Sequence, residues 1–177
     1  MSAAEFLALP EAAPGERAEL VQGEVIVSPR PSLAHQYASA MLSYLIVGHL
    51  EQHQLGMLLP EVDAKLGMED VHVPDLLYFR AGRLPSKTAR YADQVPDLCI
   101  EIVSPAYVRI DRVQKFQLYQ ARGVAHYWMI HPEEHTIEAY ALENGRYVSV
   151  GEAAEGAIVA FPPFPDLRIP LAKLWMP

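Results

Sequence analysis

Two carboxylates stand where packing has no use for them. Glu101 lies in the apolar run Asp97-Leu98-Cys99-Ile100-Glu101-Ile102-Val103, and Asp75 lies in Val73-Pro74-Asp75-Leu76-Leu77. Burying an ionised carboxylate is costly unless it is paired, hydrogen-bonded or on a metal. The i±2 neighbours of Glu101, Cys99 and Val103, offer no local partner. Two such acids on two apolar strands have the oxygen chemistry of a hard-cation site. A strand-end acid facing water, or one paired with an arginine, is the alternative. A third group, Lys115, shares a predicted helical face with Asp111 and Tyr119. Spacing alone favours an exposed Asp111–Lys115 pair. A helix packed back on the sheet would instead carry the ammonium toward the carboxylates.

The elements that must position these groups follow from periodicity. Ser2 is a candidate N-cap for a short helix over 2–9. Residues 18–22 and 24–28 alternate around Gly23 and predict a hairpin or a bent strand pair. Ser32 can cap a long helix over 33–54 with an apolar face of Leu33, Tyr37, Met41, Tyr44, Leu45 and Leu55. Strands are predicted at 57–66 and 71–79, with Pro74 costing one ladder bond. The nearly continuous apolar character of 97–103 predicts a central strand covered on both faces, stopped by Ser104-Pro105. A helix over 109–122 ends at Gly123, and strands follow at 125–131, 136–142 and 146–150. The crossover from 97–103 to 125–131 is long enough to join parallel strands. The expectation is α/β with a mixed β-sheet flanked by helices, residues 1–177 forming one domain.

Composition narrows the function. A chain that is 51% hydrophobic and 20% charged is ordinary for a globular protein. No apolar run reaches the ~18 residues of a membrane helix. The first residues lack a basic secretory n-region, so a cytoplasmic location is expected. Cys99 is expected to be a buried small hydrophobe. The net charge of −8 argues against a coat of positive charge for non-specific DNA binding. Residues 80–122, however, hold eight basic and four acidic residues, a local +4 that leaves −12 for the rest. An anionic partner belongs there, although any single one of these charges reads most simply as solvated.

The combined motif order is similar to the Uma-type family, a restriction endonuclease-like group within the PD-(D/E)XK nuclease superfamily. It runs Pro74-Asp75, Glu101-Ile102-Val103, Ser104-Pro105, Asp111, Lys115, Tyr119 and Gly123-Val124-Ala125-His126-Tyr127-Trp128. The opening block, Glu19-Leu20-Val21-Gln22-Gly23-Glu24-Val25 and Pro29 to His35, extends the resemblance over about residues 16–175. The resemblance implies a PD-(D/E)XK fold and metal-dependent hydrolysis of DNA phosphodiesters. Asp75 and Glu101 would hold Mg²⁺ or Mn²⁺ with the Ile102 carbonyl, and Glu19 or Glu24 would serve as outer ligands. The superfamily's lysine usually stands two residues after the second acid, where this chain has Val103; the resemblance moves that role to Lys115. His35 would meet the phosphate or a metal water, or simply be a polar residue near a helix start. Arg80, Arg83, Arg109 and Arg112, with Lys87 and Arg90, would guide the phosphate backbone. A homodimer would suit cleavage of both strands. Val103 and the acidic charge also feed a second reading, an inactive nuclease-fold module binding nucleic acid or protein. Glu61-Val62-Asp63-Ala64-Lys65 contains a rival Asp-x-Lys and reads as a solvated strand face. His126 and His131 face opposite sides of one strand, which speaks against zinc, and Trp128, Tyr127 and Tyr119 read as core.

Overall fold

A computed structural model describes residues 1–10, 13, 16–29, 31–103 and 110–177, with the backbone alone for 29 and 110–112. Ser104, Pro105 and Arg109 therefore lie outside the described residues, as do the side chains of Asp111 and Arg112. Helix α1 (Ala3–Leu7) begins with a reciprocal capping box between Ser2 and Glu5. Strands β1 (Glu16–Val21) and β2 (Glu24–Pro29) form a hairpin. Its turn residues Gln22 and Gly23 both have positive φ, 50° and 81°, the twist a two-residue hairpin needs. β3 (Gly56–Pro60), β4 (Ala64–Lys65), β5 (Val71–His72) and β6 (Leu76–Arg80) follow the long helix α2 (Leu33–His53).

β7 (Leu98–Ile102) then crosses over, through a π-helical turn at Ile110–Lys115 and helix α3 (Phe116–Arg122), to β8 (His126–His131). These two strands are parallel, and the other pairings within the same sheet are antiparallel. β9 (Thr136–Glu143) and β10 (Arg146–Ala154) complete a six-stranded sheet ordered β10-β9-β8-β7-β6-β3. A smaller sheet is ordered β2-β1-β5-β4, and β11 (Ile158–Val159) pairs with β12 (Ile169–Pro170).

The six-stranded sheet is covered on both faces, which explains the unbroken apolar run of β7. Leu98, Ile100 and Ile102 pack with Ala38, Leu42, Ile46 and Leu50 of α2 and with Trp128 and Phe164. Cys99 and Val103 pack on the other side with Leu77, Phe79, Tyr119 and Tyr127. Glu101 shares the parity of Cys99 and Val103, so it points to the α3 side.

Two expected strands are broken. The segment 71–79 splits at Val73-Pro74-Asp75 into β5 and β6, which belong to different sheets. Pro74 has no N–H to extend a ladder and restricts the residue before it. The segment 57–66 likewise divides into β3 and β4. The predicted apolar face of α2 is also corrected: Leu33 and Tyr44 are 77% and 72% exposed, and the buried stripe is His35, Ala38, Leu42, Ile46 and Leu50. The helix is apolar on several sides, so periodicity did not distinguish the covered face.

Candidate functional site

The broken strand builds the site. Leu76 of β6 pairs with Ile100 of β7, which brings Asp75, just before β6, alongside Glu101. The Asp75 carboxylate, 2% exposed, accepts from the Ile102 N–H at 2.7 Å and from Arg17 Nη1 at 2.9 Å. It also meets His35 Nε2 at 3.2 Å, from the first turn of α2. A carboxylate can only accept, so that nitrogen carries the hydrogen. Lys115 donates to Glu101 Oε2 at 2.8 Å, and one helical turn later the Tyr119 hydroxyl donates to Oε1 at 2.6 Å.

The small sheet supplies the other wall. Glu19 of β1 accepts from the Val73 N–H at 2.8 Å. Its Oε1 lies 3.8 Å from Arg17 Nη2, 3.7 Å from His72 Nδ1 and 4.0 Å from Lys115 Nζ. Arg17 thus joins Asp75 to Glu19, and Lys115 joins Glu101 to Glu19. Five elements, β1, β5, β7, α2 and the α3 segment, converge with the Pro74-Asp75 link.

The electrostatics follow from that packing. Burial by itself would raise the Asp75 pKa, but the His35 hydrogen bond and the charges of Arg17, His35 and Lys115 hold it well below the usual carboxylate range. Burial opposes ionisation of Glu19 too, and Lys115, Arg17 and His72 together bring its pKa down. Burial works against the Arg17 guanidinium, and Asp75, Glu19 and Glu101 overcome it and raise its pKa further. Burial lowers the His72 pKa to about 4, against an opposing pull from Glu19, so this imidazole is neutral at pH 7. Burial, then the Glu101 charge, pushes the Tyr119 hydroxyl well up, so it remains a donor.

Of the residues singled out in the sequence, Asp75, Glu101, Lys115, Glu19, His35 and Ile102 come together. Ile102 presents its N–H to Asp75. Glu24 is exposed at the start of β2, pairs with Val21 through its backbone, and lies on the hairpin away from Asp75 and Glu101 in the chain's pairing order. Arg80 and Arg83 are not brought to the site. They flank Asp97 at 3.6 and 2.7 Å, at the opposite end of β6 and β7. Five strand residues separate that end from Asp75, about 16 Å at ~3.3 Å per residue. Asp63 is no solvated strand face. It is a half-buried loop residue whose pKa is raised by burial and by Glu19, and it lines a cleft of about 1130 Å³ together with Arg17, Val73 and Tyr91.

Arg17, His72 and the hydroxyl role of Tyr119 are what sequence reasoning missed. Arg17 sits in Glu16-Arg17-Ala18-Glu19, which looks like a solvated charge alternation. His72 lies between two valines, the same polar-in-apolar signal that marked Glu101.

The oxygen donors of Asp75, Glu101 and Glu19 suit a hard divalent cation. In this arrangement no three His, Cys, Asp or Glu side chains converge as ligands among the described residues. The bonds above give the reason: Arg17 and Lys115 occupy the spaces between the acids. A cation at Asp75 and Glu101 would have to displace those contacts.

Comparison with known proteins agrees with this architecture. The family model Uma2, described as "putative restriction endonuclease", matches residues 3–172. A crystal structure described as a putative nuclease belonging to DUF820 from Anabaena variabilis superposes with a TM-score of 0.81 at 24% identity, covering 99% of this chain and 97% of that one. At that identity the likeness establishes the restriction endonuclease-like fold. No curated protein matches the sequence. Among the described residues, no helix is long and apolar enough to cross a membrane.

Proposed function

Because the chain belongs to the Uma2 family of restriction endonuclease-like proteins, we propose that the Asp75–Glu101–Lys115 cluster hydrolyses DNA phosphodiester bonds with a divalent metal. Such families generally use divalent metals. The observation that carries the proposal is the Lys115 ammonium 2.8 Å from Glu101, delivered from 14 residues downstream. It fills the role that Val103 cannot.

Asp75 and Glu101, with the Ile102 carbonyl, are the groups that would hold Mg²⁺ or Mn²⁺, and Glu19 is the outer acid. Bound there, the ion would supply an activated water and polarise the phosphoryl oxygen. The chain's own residues do the rest. Lys115 orients the attacking water and offsets the negative charge that develops on the phosphorus oxygens. Tyr119 fixes the Glu101 carboxylate by donating to it. Arg17 holds Asp75 and Glu19 apart from each other's charge until substrate arrives. His35 steadies Asp75 and stands ready for a phosphate oxygen.

The test is supercoiled plasmid with Mn²⁺, Mg²⁺ or EDTA, using the wild type, Asp75→Asn and Lys115→Ala. Metal-dependent nicking lost in both variants supports the enzyme. Binding without cutting by the wild type would replace it with an inactive nuclease-fold module.

A further inference from the structure

The outer edge of the small sheet borders the cleft that Arg17 and Asp63 line, with Val25 and Val27 among the lining residues. β2 ends the order β2-β1-β5-β4, so among the described residues its far edge has no strand beyond it. Main-chain N–H and C=O groups on such an edge are a template for another strand. Proteins ordinarily guard an edge with lysine, proline, a bulge or a covering loop, and β2 carries proline only at its last residue, Pro29. Here the strand centre is Val25-Ile26-Val27, exposed by 41%, 39% and 52%. Its pairing with β1 runs unbroken from Glu16↔Pro29 to Val21↔Glu24, with no bulge to twist the edge away.

We propose that β2 is a self-association edge, on which two copies of the chain pair antiparallel about a two-fold axis at Ile26. The two small sheets then become one of eight strands. The sequence is complementary to itself in that register. Ile26 faces its own counterpart, Val25 faces Val27, and Glu24 faces Ser28, so no like charges oppose. Val25 and Val27 lie on one face and Ile26 on the other, and each row meets its counterpart across the seam. A single pairing of five residues, Glu24 to Ser28 of each copy, is smaller than a standard interface of ~1,600 Å², so the dimer is concentration-dependent.

The register also places the sites. Glu19 pairs with Ile26 across the hairpin. A line from Glu19 through Ile26 and its counterpart to the second Glu19 spans three strand spacings, about 14 Å at ~4.8 Å each. Opposed residues share a sheet face, so the two Glu19 side chains lie on the same face of the joined sheet. The span is comparable with the ~12 Å width of a DNA major groove. That consequence rests on the nuclease reading, whereas the pairing does not.

Cross-linking tests the pairing without any cleavage. Directly opposed antiparallel residues have Cα separations of about 4.5 or 5.5 Å, within disulfide range. The native Cys99 is buried and will not interfere. Ile26→Cys is expected to form a covalent dimer under oxidation, and Leu33→Cys, at a more exposed position, is expected to remain monomeric. In sedimentation the wild type should dimerise with concentration, and Ile26→Lys should be a monomer with an unchanged melting temperature. An Ile26→Cys protein that stays monomeric, or a wild type that is monomeric at its highest soluble concentration, overturns the proposal. Loss of linear plasmid product in Ile26→Lys with nicking retained supports both readings. A cross-linked dimer that never cuts DNA supports the pairing and removes the nuclease.

Discussion

The two ends of β6 and β7 carry the same chemistry in different solvents. At one end Asp75 and Glu101 meet Arg17 and Lys115, whose side chains are 19% and 9% exposed. At the other end Asp97 meets Arg80 and Arg83, whose side chains are 64% and 38% exposed. Acid and cation lie as close as 2.7–2.9 Å at both. Water makes the difference. An exposed pair gains little because solvent already satisfies each charge, so it serves as a tether. A buried pair costs more in lost hydration than its attraction returns, and it is weak evidence for stability. The buried end is therefore the one whose charges call for a function.

The sharpest way to break this comparison is activity. Lys115→Ala and Glu101→Gln are expected to lower metal-dependent plasmid cleavage at least about a hundredfold, the scale of losing a group that stabilises transition-state charge. Arg80→Ala and Arg83→Ala should leave it within about twofold, because their contacts end about 16 Å away. Cleavage rates measured at saturating metal decide between the ends. Equal losses at both would mean that the basic 80s loop, and not the buried cluster, meets the DNA.

Stability comes next. Removing one partner of a buried ion pair leaves the other uncompensated, at a cost of roughly 3–5 kcal/mol. Asp75→Ala strands Arg17, His35 and the Ile102 N–H together. Denaturant midpoints should fall accordingly, with an unchanged slope. Asp97→Ala frees the Arg80 N–H and an arginine already near water, so a loss nearer ~1 kcal/mol is expected.

How much of this was visible in the sequence depends on how local each partner is. Asp75 and Glu101 announced themselves because each is the lone charge in an apolar run. The parallel β7–β8 crossover was legible from the length of the connection and the run of apolar residues. Lys115 was legible only through family resemblance, since helical spacing alone pointed it at Asp111. Arg17 was not legible. Its value lies in a contact 58 residues away, across two sheets that a break at Pro74 joins. His72 carried a readable signal, a polar residue inside Val71-His72-Val73, but its neighbour Glu19 comes from the β1–β5 pairing, which no local pattern specifies.

Both ends should respond to pH, the buried end through His72 and the exposed end through His126, whose pKa burial lowers against the pull of Asp97. His72 titrates near 4 in the folded chain against an ordinary 6.5. Between those values the unfolded chain binds the proton that the folded chain refuses, so stability falls as the pH drops from 6.5 to 4. A shift of that size corresponds to roughly 3 kcal/mol by linkage. Asp75 and Glu19 have lowered pKa values, so their contribution is present above the ordinary carboxylate pKa and is lost only at lower pH. Burial also lowers the pKa of His126 and of His49, so they add to the decline in the same window, and the His72 share is read from its substitution. Urea unfolding at intervals across it should show a decline in the wild type that is clearly shallower in His72→Gln. A decline of unchanged size in that variant would assign it to the other histidines.

The smallest effect is also the one that tests the exposed end most directly. Arg80 Nε stands 3.6 Å from Asp97, beyond good hydrogen-bond distance, on a side chain 64% exposed. Asp97 keeps Arg83 at 2.7 Å and the Arg80 main-chain N–H at 3.0 Å whatever side chain position 80 carries. Arg80→Ala should therefore change unfolding free energy by no more than ~0.5 kcal/mol. Raising salt should shrink even that, because screening acts on exposed pairs first. The buried Lys115–Glu101 contact is shielded from the same ions by the protein around it. A salt titration of the two variants thus separates a tether from a site: parallel salt responses would show that burial is not what distinguishes the two ends.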